Sequence, residues 1–393
     1  MTACDTRSIA DWLTDGARSA AEPQEVLAEL CDRLVRCGIP LYRVAVFVRT
    51  LHPDIMGRRF LWREGSGVSI SAAPFATLSS DDFRLSPVAR IYRDGAILRR
   101  RLADPACPDD FPLIAELRGE GVTDYIAIPL FFTWGEIHAA TWTTRAPGGF
   151  TDDQAAALQA LAPPFTRVAE VRALRRTAVN FLNTYVGHNA GERILAGRIR
   201  RGHTERLDAA IWLSDMRGFT ARADRLAPQT LIDLLNRYFD CQVPAILGHG
   251  GEVLKFMGDG LLAIFPVTAG SEASAVCRAA LTAALEARTA VAALERSAET
   301  ASEDGVRFGL ALHRGEVLYG NIGGGNRLDF TCIGPAVNLA ARLEKLTGKL
   351  GRTVLASAAF ARHCPEAFAP VGDFALAGFA APQTAFGLID EAS

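Results

Sequence analysis

From Pro23 to Gly38 the apolar residues Val26, Leu27, Leu30, Leu34 and Val35 recur at helical spacing. A proline opens the run and a glycine closes it, which predicts an amphipathic helix. The period then changes. The runs Tyr42 to Arg49, Arg59 to Trp62, Tyr125 to Phe132 and Ile137 to Thr143 are rich in β-branched and aromatic residues and bounded by turn formers, so they predict strands. Short helices are expected between them, at Ser86 to Arg93 and Pro112 to Arg118, giving an antiparallel sheet with helices. The segment GGFTDDQAAALQAL predicts another helix, with Thr151 as N-cap and Asp152 and Asp153 in its first turn. Pro163 and Pro164 should kink or break that helix, with helical character resuming from Phe165 to Val186.

The basic stretch AGRIRRGHTER, with Arg198, Arg200 and Arg201, reads as a solvated linker. A first domain over 1–171, a helical linker over 172–206 and a second domain over 207–393 are expected. The second domain opens with AAIWLSDMRGFT, an apolar strand that ends at Asp215 and turns through Gly218 into a helix. A helix from about Gln229 to Leu247 follows, and then GEVLKFMGDGLLAIFP, two strands joined at Gly258, Asp259 and Gly260. Ser271 to Ala293 is an Ala-rich helix of strong helix formers. RLDFTCIGPAVNLAARLEKLTGKLG reads as strand, tight turn and helix, and it sets Asn338 and Arg342 four apart on one helical face.

Composition narrows the function classes. Hydrophobic residues at 49% and charged residues at 22% of 393 predict folded domains. With 42 basic and 44 acidic residues the net charge is −2, so no global field draws the chain to nucleic acid or anionic lipid. A polyanionic ligand must be held locally. The cysteines at 4, 31, 37, 107, 241, 277, 332 and 364 form no C-x-x-C pair and no zinc-like spacing, as expected of idle thiols in a reducing compartment. No apolar run reaches the length of about 18 residues that a membrane span needs, and no secretion pattern opens the chain. A cytoplasmic location without membrane partners is expected.

Taken singly, an aspartate in a D-G turn is a turn former, and an Asn/Arg pair on a helix is a solvent-facing polar pair with Val337, Leu339 and Leu343 in the core. Convergence changes their meaning: if Asp215 and Asp259 end neighbouring strands of one sheet, a pair of divalent ions can bridge them. Together SDMRGFT, LKFMGDG and FTCIGPAVNLAARLE resemble, in order and spacing, the class III adenylyl and guanylyl cyclase catalytic domain over about Leu207 to Ile389. The resemblance implies an α+β fold with a ferredoxin-like βαββαβ core and a head-to-tail homodimer. It also implies two cations, Mg²⁺ or Mn²⁺, held by Asp215, Asp259 and the backbone at Met216. Phe219 and Thr220 would face the triphosphate. From the other protomer, Asn338 would orient the ribose and Arg342 would stabilise charge on the α-phosphate. Lys255 and Thr331 match the two purine-facing positions and form the adenine-type pair, which implies ATP as substrate.

Two positions depart from the family's pattern. Pro335 stands where an acidic residue is usual, and Ala377 where a lysine commonly grips the triphosphate, leaving Arg217 or Arg327 as substitutes. A degenerate cyclase that binds nucleotide without turnover is therefore the second reading. A cyclic-dinucleotide synthase ranks last, because no G-G-D/E-E-F run is present. The first domain resembles, in its order of elements from about Glu22 to Val171, the GAF family of small-molecule sensors. A ligand-binding sensor and a dimerisation scaffold both stay open for it.

Overall fold

A computed structural model describes residues 6–295, 305–325 and 327–391. Cys4 lies outside the described residues. The chain forms two units, Met1–Phe181 and Leu182–Ser393. No helix among the described residues is long and apolar enough to cross a membrane.

The first unit is built on strands β1 (Arg43–Arg49), β2 (Ile55–Arg63), β3 (Gly67–Pro74), β4 (Leu98–Arg100), β5 (Asp124–Phe131) and β6 (Ile137–Thr144). They form one antiparallel sheet in the order β3-β2-β1-β6-β5-β4. Alternation along the strands divides their side chains between two cores. Val44, Val46 and Trp62 pack with the Arg7–Thr14 and Pro23–Arg36 helices and with Leu158, Leu161 and Phe165. Tyr125, Ala127 and Ala139 pack with the Pro87–Asp94 and Pro112–Gly119 helices. The antiparallel sheet with helices is as expected, and so are these last two helices. β3 was not foreseen: its GVSISAAP is short and mostly exposed, pairs only with β2, and signals a strand only by the alternation of Val68 and Ile70 with Ser69 and Ser71. Nor was three-residue β4, pinned by the ion pair of Arg99 with fully buried Asp124 at 2.7 Å.

The closing helix of this region departs from expectation. It runs from Asp152 to Val186 straight through Pro163 and Pro164. Thr151 caps it as foreseen, accepting from the Gln154 N–H, while Gln154 accepts in return from the Thr151 N–H. Packing overrides the prolines: Leu158 and Leu161 before them and Phe165 and Val168 after them are buried in the same core.

In the second unit β7 (Thr204–Met216), β8 (Glu252–Met257), β9 (Gly260–Pro266), β10 (Phe308–Gly324), β11 (Arg327–Ile333), β12 (Val354–Ser357), β13 (Phe368–Phe374) and β14 (Gln383–Leu388) make an eight-stranded sheet. Its order is β13-β14-β12-β10-β7-β9-β8, with β11 paired to β10. The antiparallel order β10-β7-β9-β8, with helices between β7 and β8 and between β9 and β10, is the ferredoxin-like core the resemblance implied. β7 is buried on both faces: Ala210, Trp212 and Met216 join one core with the Ala273–Glu295 helix, while Ala209, Ile211 and Leu213 join another with Ala336 and Ala340 of the Pro335–Leu350 helix. The helix expected from Gln229 to Leu247 is two, Pro228–Asp240 and Val243–Gly248. Pro244 has no N–H for the ladder, and at the break Gln242 is buried and accepts from the Ser214 hydroxyl at 2.6 Å.

No disulfide joins the described cysteines, and burial pushes the Cys332 and Cys364 thiols up to about 11. Burial acts oppositely on two histidines, pushing His138 and His313 down to about 4. The His138 Nδ1 accepts the Arg49 N–H at 3.0 Å, a bond only the neutral ring makes. These groups charge more easily unfolded than folded, so their contribution is present above the ordinary histidine pKa and is lost as pH falls from about 6.5 toward 4. Chemical denaturation at pH 7.5 and pH 5 should show a loss of about 2 kcal/mol per histidine. His138→Gln should lower stability at neutral pH and flatten this acid limb for the first unit; an unchanged limb would refute the assignment.

Candidate active site

β7 carries Asp215 to its end, and β9 begins at Gly260 one strand away, with Ser214 opposite Leu261 in the register. Met257 pairs with Gly260, so Gly258 and Asp259 are a two-residue turn. Gly258 supplies its positive φ of 68°. Asp259 is thereby turned toward Asp215, and the two carboxylates meet. A side chain at Gly260 would crowd them, because its Cβ would lie 3.1 Å from the Asp215 Oδ1. The glycines of the G-D-G run therefore have separate tasks, one setting the turn and one clearing space.

Electrostatics at this point are unfavourable as the chain stands. Burial, and then the like charge and hydrogen-bonding contact of Asp259, push Asp215 up to about 6; the Met216 N–H and Lys345 oppose this. Glu344, from the Pro335–Leu350 helix, is pushed up to about 7 by burial and by Asp215, with Lys345 and Arg217 opposing. The helix reaches this place because Gly309 lies beneath it: a Cβ there would meet the Thr347 Oγ1 at 2.1 Å and the Glu344 Oε1 at 3.0 Å. Gly309 is also the register partner of Asp215. Glu344 and Lys345 were not singled out from the sequence, although Glu344 stands only two residues after Arg342; their approach depends on the helix crossing Gly309.

Hard carboxylate oxygens crowded together fit a divalent cation. Among the described residues no three His, Cys, Asp or Glu side chains form a ready metal site. Further ligands would have to come from backbone carbonyls, water and a phosphate-bearing substrate, as is usual for Mg²⁺. Met216 buries its side chain in the core, leaving its backbone at the site. Phe219 and Thr220 open a helix, Phe219–Ala223, just after Gly218. Arg217 donates to the Arg352 carbonyl.

Asn338 and Arg342 are both exposed on the Pro335–Leu350 helix, with Pro335 in its first turn. Neither makes a hydrogen bond or ion pair with Asp215 or Asp259. The Arg342 Nε donates to the Ala377 carbonyl at 3.3 Å, so the loop lacking a lysine side chain nonetheless orients the arginine. Lys255 on β8 lies near Cys332 on β11, beside Thr331. The Thr331 Oγ1 is buried without any hydrogen-bond partner.

Residues 203–373 match the model of the adenylate and guanylate cyclase catalytic domain. This region belongs to that family. Similar curated proteins include adenylate cyclase 1 of Rhizobium meliloti (strain 1021), 32% identical over 171 residues that make up 42% of this chain and 25% of that protein. The adenylate cyclase of Anabaena cylindrica is 35% identical over 164 residues, 40% of this chain and 31% of that protein. The chain thus spans a third or less of the length of these relatives. Among solved structures, adenylyl cyclase CyaB from P. aeruginosa aligns with 48% of this chain and 96% of its own, at 27% identity and a TM-score of 0.44.

The cyclase-domain aspartates oppose each other as like charges in the cation-free protein, and this has a measurable consequence. Asp215→Asn should leave the cation-free protein as stable as the parent or more stable, by on the order of 1 kcal/mol. The same substitution should remove the rise in melting temperature that Mn²⁺ with nucleotide produces in the parent. Equal Mn²⁺-dependent stabilisation of both proteins would count against a cation site at Asp215.

Proposed function

We propose that the catalytic domain is an adenylate cyclase that converts ATP to 3′,5′-cyclic AMP and pyrophosphate at a site shared by two protomers. The convergence of Asp215 and Asp259 carries this reading. Two divalent cations, Mg²⁺ or Mn²⁺, would supply neutralisation of the triphosphate and polarisation of its α-phosphate. Asp215, Asp259 and the Met216 carbonyl would hold them, and the backbone at Phe219 and Thr220 would face the phosphates. The ribose 3′-oxygen attacks the α-phosphorus, its proton is lost, and the bond to the β-phosphate oxygen breaks to release pyrophosphate.

From the second protomer, Asn338 orients the ribose and Arg342 meets the charge growing on the α-phosphate. Their exposure, with no hydrogen bond or ion pair to the aspartates of their own chain, supports such a division of labour. So does apolar surface on the same unit: Leu318 and Ile333, register partners on β10 and β11, are exposed, as are Phe256 and Met257 on β8. For the base, Lys255 would donate to adenine N1. The Thr331 hydroxyl, buried without a partner, would accept from the 6-amino group.

The N-terminal region, 1–171, we read as a GAF-like regulatory domain joined through 172–206 to the catalytic region 207–393. A cytoplasmic location belongs to the same reading. One observation favours the nucleotide-binding module as a second reading: Ala377 is exposed and offers no cation to the triphosphate.

Purified full-length protein given ATP with Mn²⁺ or Mg²⁺ should release cyclic AMP and pyrophosphate in equal amounts, and far less product from GTP. Binding of ATP without cyclic AMP would establish the module instead. Arg342→Ala should lower kcat by roughly a hundredfold while changing KM little, as expected of a group acting in the transition state. Mixing Asp215→Ala with Arg342→Ala protein should restore activity, because one site of each heterodimer keeps all its groups. A demonstrated heterodimer without activity would contradict the shared site.

A further inference from the structure

The N-terminal unit holds a cleft of about 770 Å³, its open mouth included, between one face of the sheet and two helices. The strand register builds one wall. Val46 on β1 pairs with Phe60 on β2, and Phe60 pairs with Ile70 on β3, so the three line a single face. Leu27 of the Pro23–Arg36 helix and Phe165 and Val168 of the Asp152–Val186 helix close the other side. A mostly apolar cleft edged by a few polar side chains is the kind of lining that takes a small organic molecule.

Arg58 interrupts the apolar face. It stands two residues before Phe60 and opposite Val48, where alternation calls for another apolar side chain. The Arg58 Nε is buried and has no hydrogen-bond partner among the described residues. Arg172 and Arg176 also line the cleft. Arg172 donates to the Ala20 carbonyl, and none of the three is ion-paired among the described residues. Burial and the like charge of Arg176 both lower the Arg58 pKa, and no carboxylate opposes them. A part-buried guanidinium with its Nε out of contact with solvent, near a second arginine and with no acid beside it, is a local cost that a bound anion removes.

We propose that this cleft binds an amphipathic organic anion, with an alkyl or aryl body against Val46, Phe60 and Val168 and a carboxylate head at Arg58 and Arg176. A neutral apolar molecule would leave the Arg58 Nε orphaned. A bare inorganic anion would leave the apolar wall wet. The site is thus selective for a molecule carrying both features.

The test titrates decanoate, below its micelle-forming concentration, into the full-length protein by calorimetry, with decanol and acetate as arms that lack the charge or the chain. Saturable binding of one decanoate per chain is expected, with decanol and acetate each weaker by at least about tenfold, the range a charge-assisted contact supplies. Arg58→Gln should weaken decanoate by at least about tenfold. Ala169→Phe, which fills the cleft from the Asp152–Val186 helix without removing a core side chain, should abolish binding while leaving the melting temperature near that of the parent. If Arg58→Gln does not fold, Ala169→Phe decides. Absence of saturable decanoate binding, equal affinity for decanol, or folded variants that bind like the parent would overturn the proposal.

Discussion

Two carboxylates of like charge are held together at one end of the second unit's sheet, and the surrounding features are what hold them there. Antiparallel β7 and β9 set the spacing, the Gly258–Asp259 turn aims one acid at the other, and Gly260 leaves room for both. Burial of β7 on both faces fixes its register, since a slip of one residue would exchange Trp212 for Ile211 between two different cores and carry Asp215 to the wrong side. Packing stability is thus converted into a repulsive geometry that the isolated acids would not adopt. Repulsion of this kind persists where function needs it, and a cation is the simplest group that relieves it.

The Pro335–Leu350 helix has two jobs on two faces. Its buried face, with Leu339, Ala340 and Leu343, seats it on the sheet and brings Glu344 over Gly309 into the acidic neighbourhood. Its exposed face carries Asn338 and Arg342, which make no hydrogen bond or ion pair with Asp215 or Asp259. In the proposed reading these two side chains serve the site of a second protomer.

Much of this was legible in the chain. The Pro23–Arg36, Ala273–Glu295 and Pro335–Leu350 helices announce themselves by period and by proline or alanine content, and the G-D-G hairpin by its turn chemistry. The order of SDMRGFT, LKFMGDG and FTCIGPAVNLAARLE points to the cyclase family. Four things were hidden. β4 lacks a hydrophobic signature, β3 has only a short alternation of Val68 and Ile70 with serines, and the helix through Pro163–Pro164 is held by tertiary contacts that local propensity cannot register. Glu344 becomes an electrostatic neighbour of Asp215 only because a glycine on β10 lets the helix approach. The arginine in the N-terminal cleft was hidden likewise, since Arg58 in a run of GRRF looks like an ordinary surface residue until the pairing turns it inward.

Cyclisation at this site requires a divalent cation held by Asp215 and Asp259 beside a bound triphosphate. A crystal structure of the full chain grown with Mn²⁺ and 3′-deoxy-ATP, which lacks the attacking hydroxyl, tests it by anomalous scattering. Manganese peaks are expected within coordination distance of both carboxylates and of the nucleotide phosphates. Peaks elsewhere, or a triphosphate bound away from these two side chains, would contradict it.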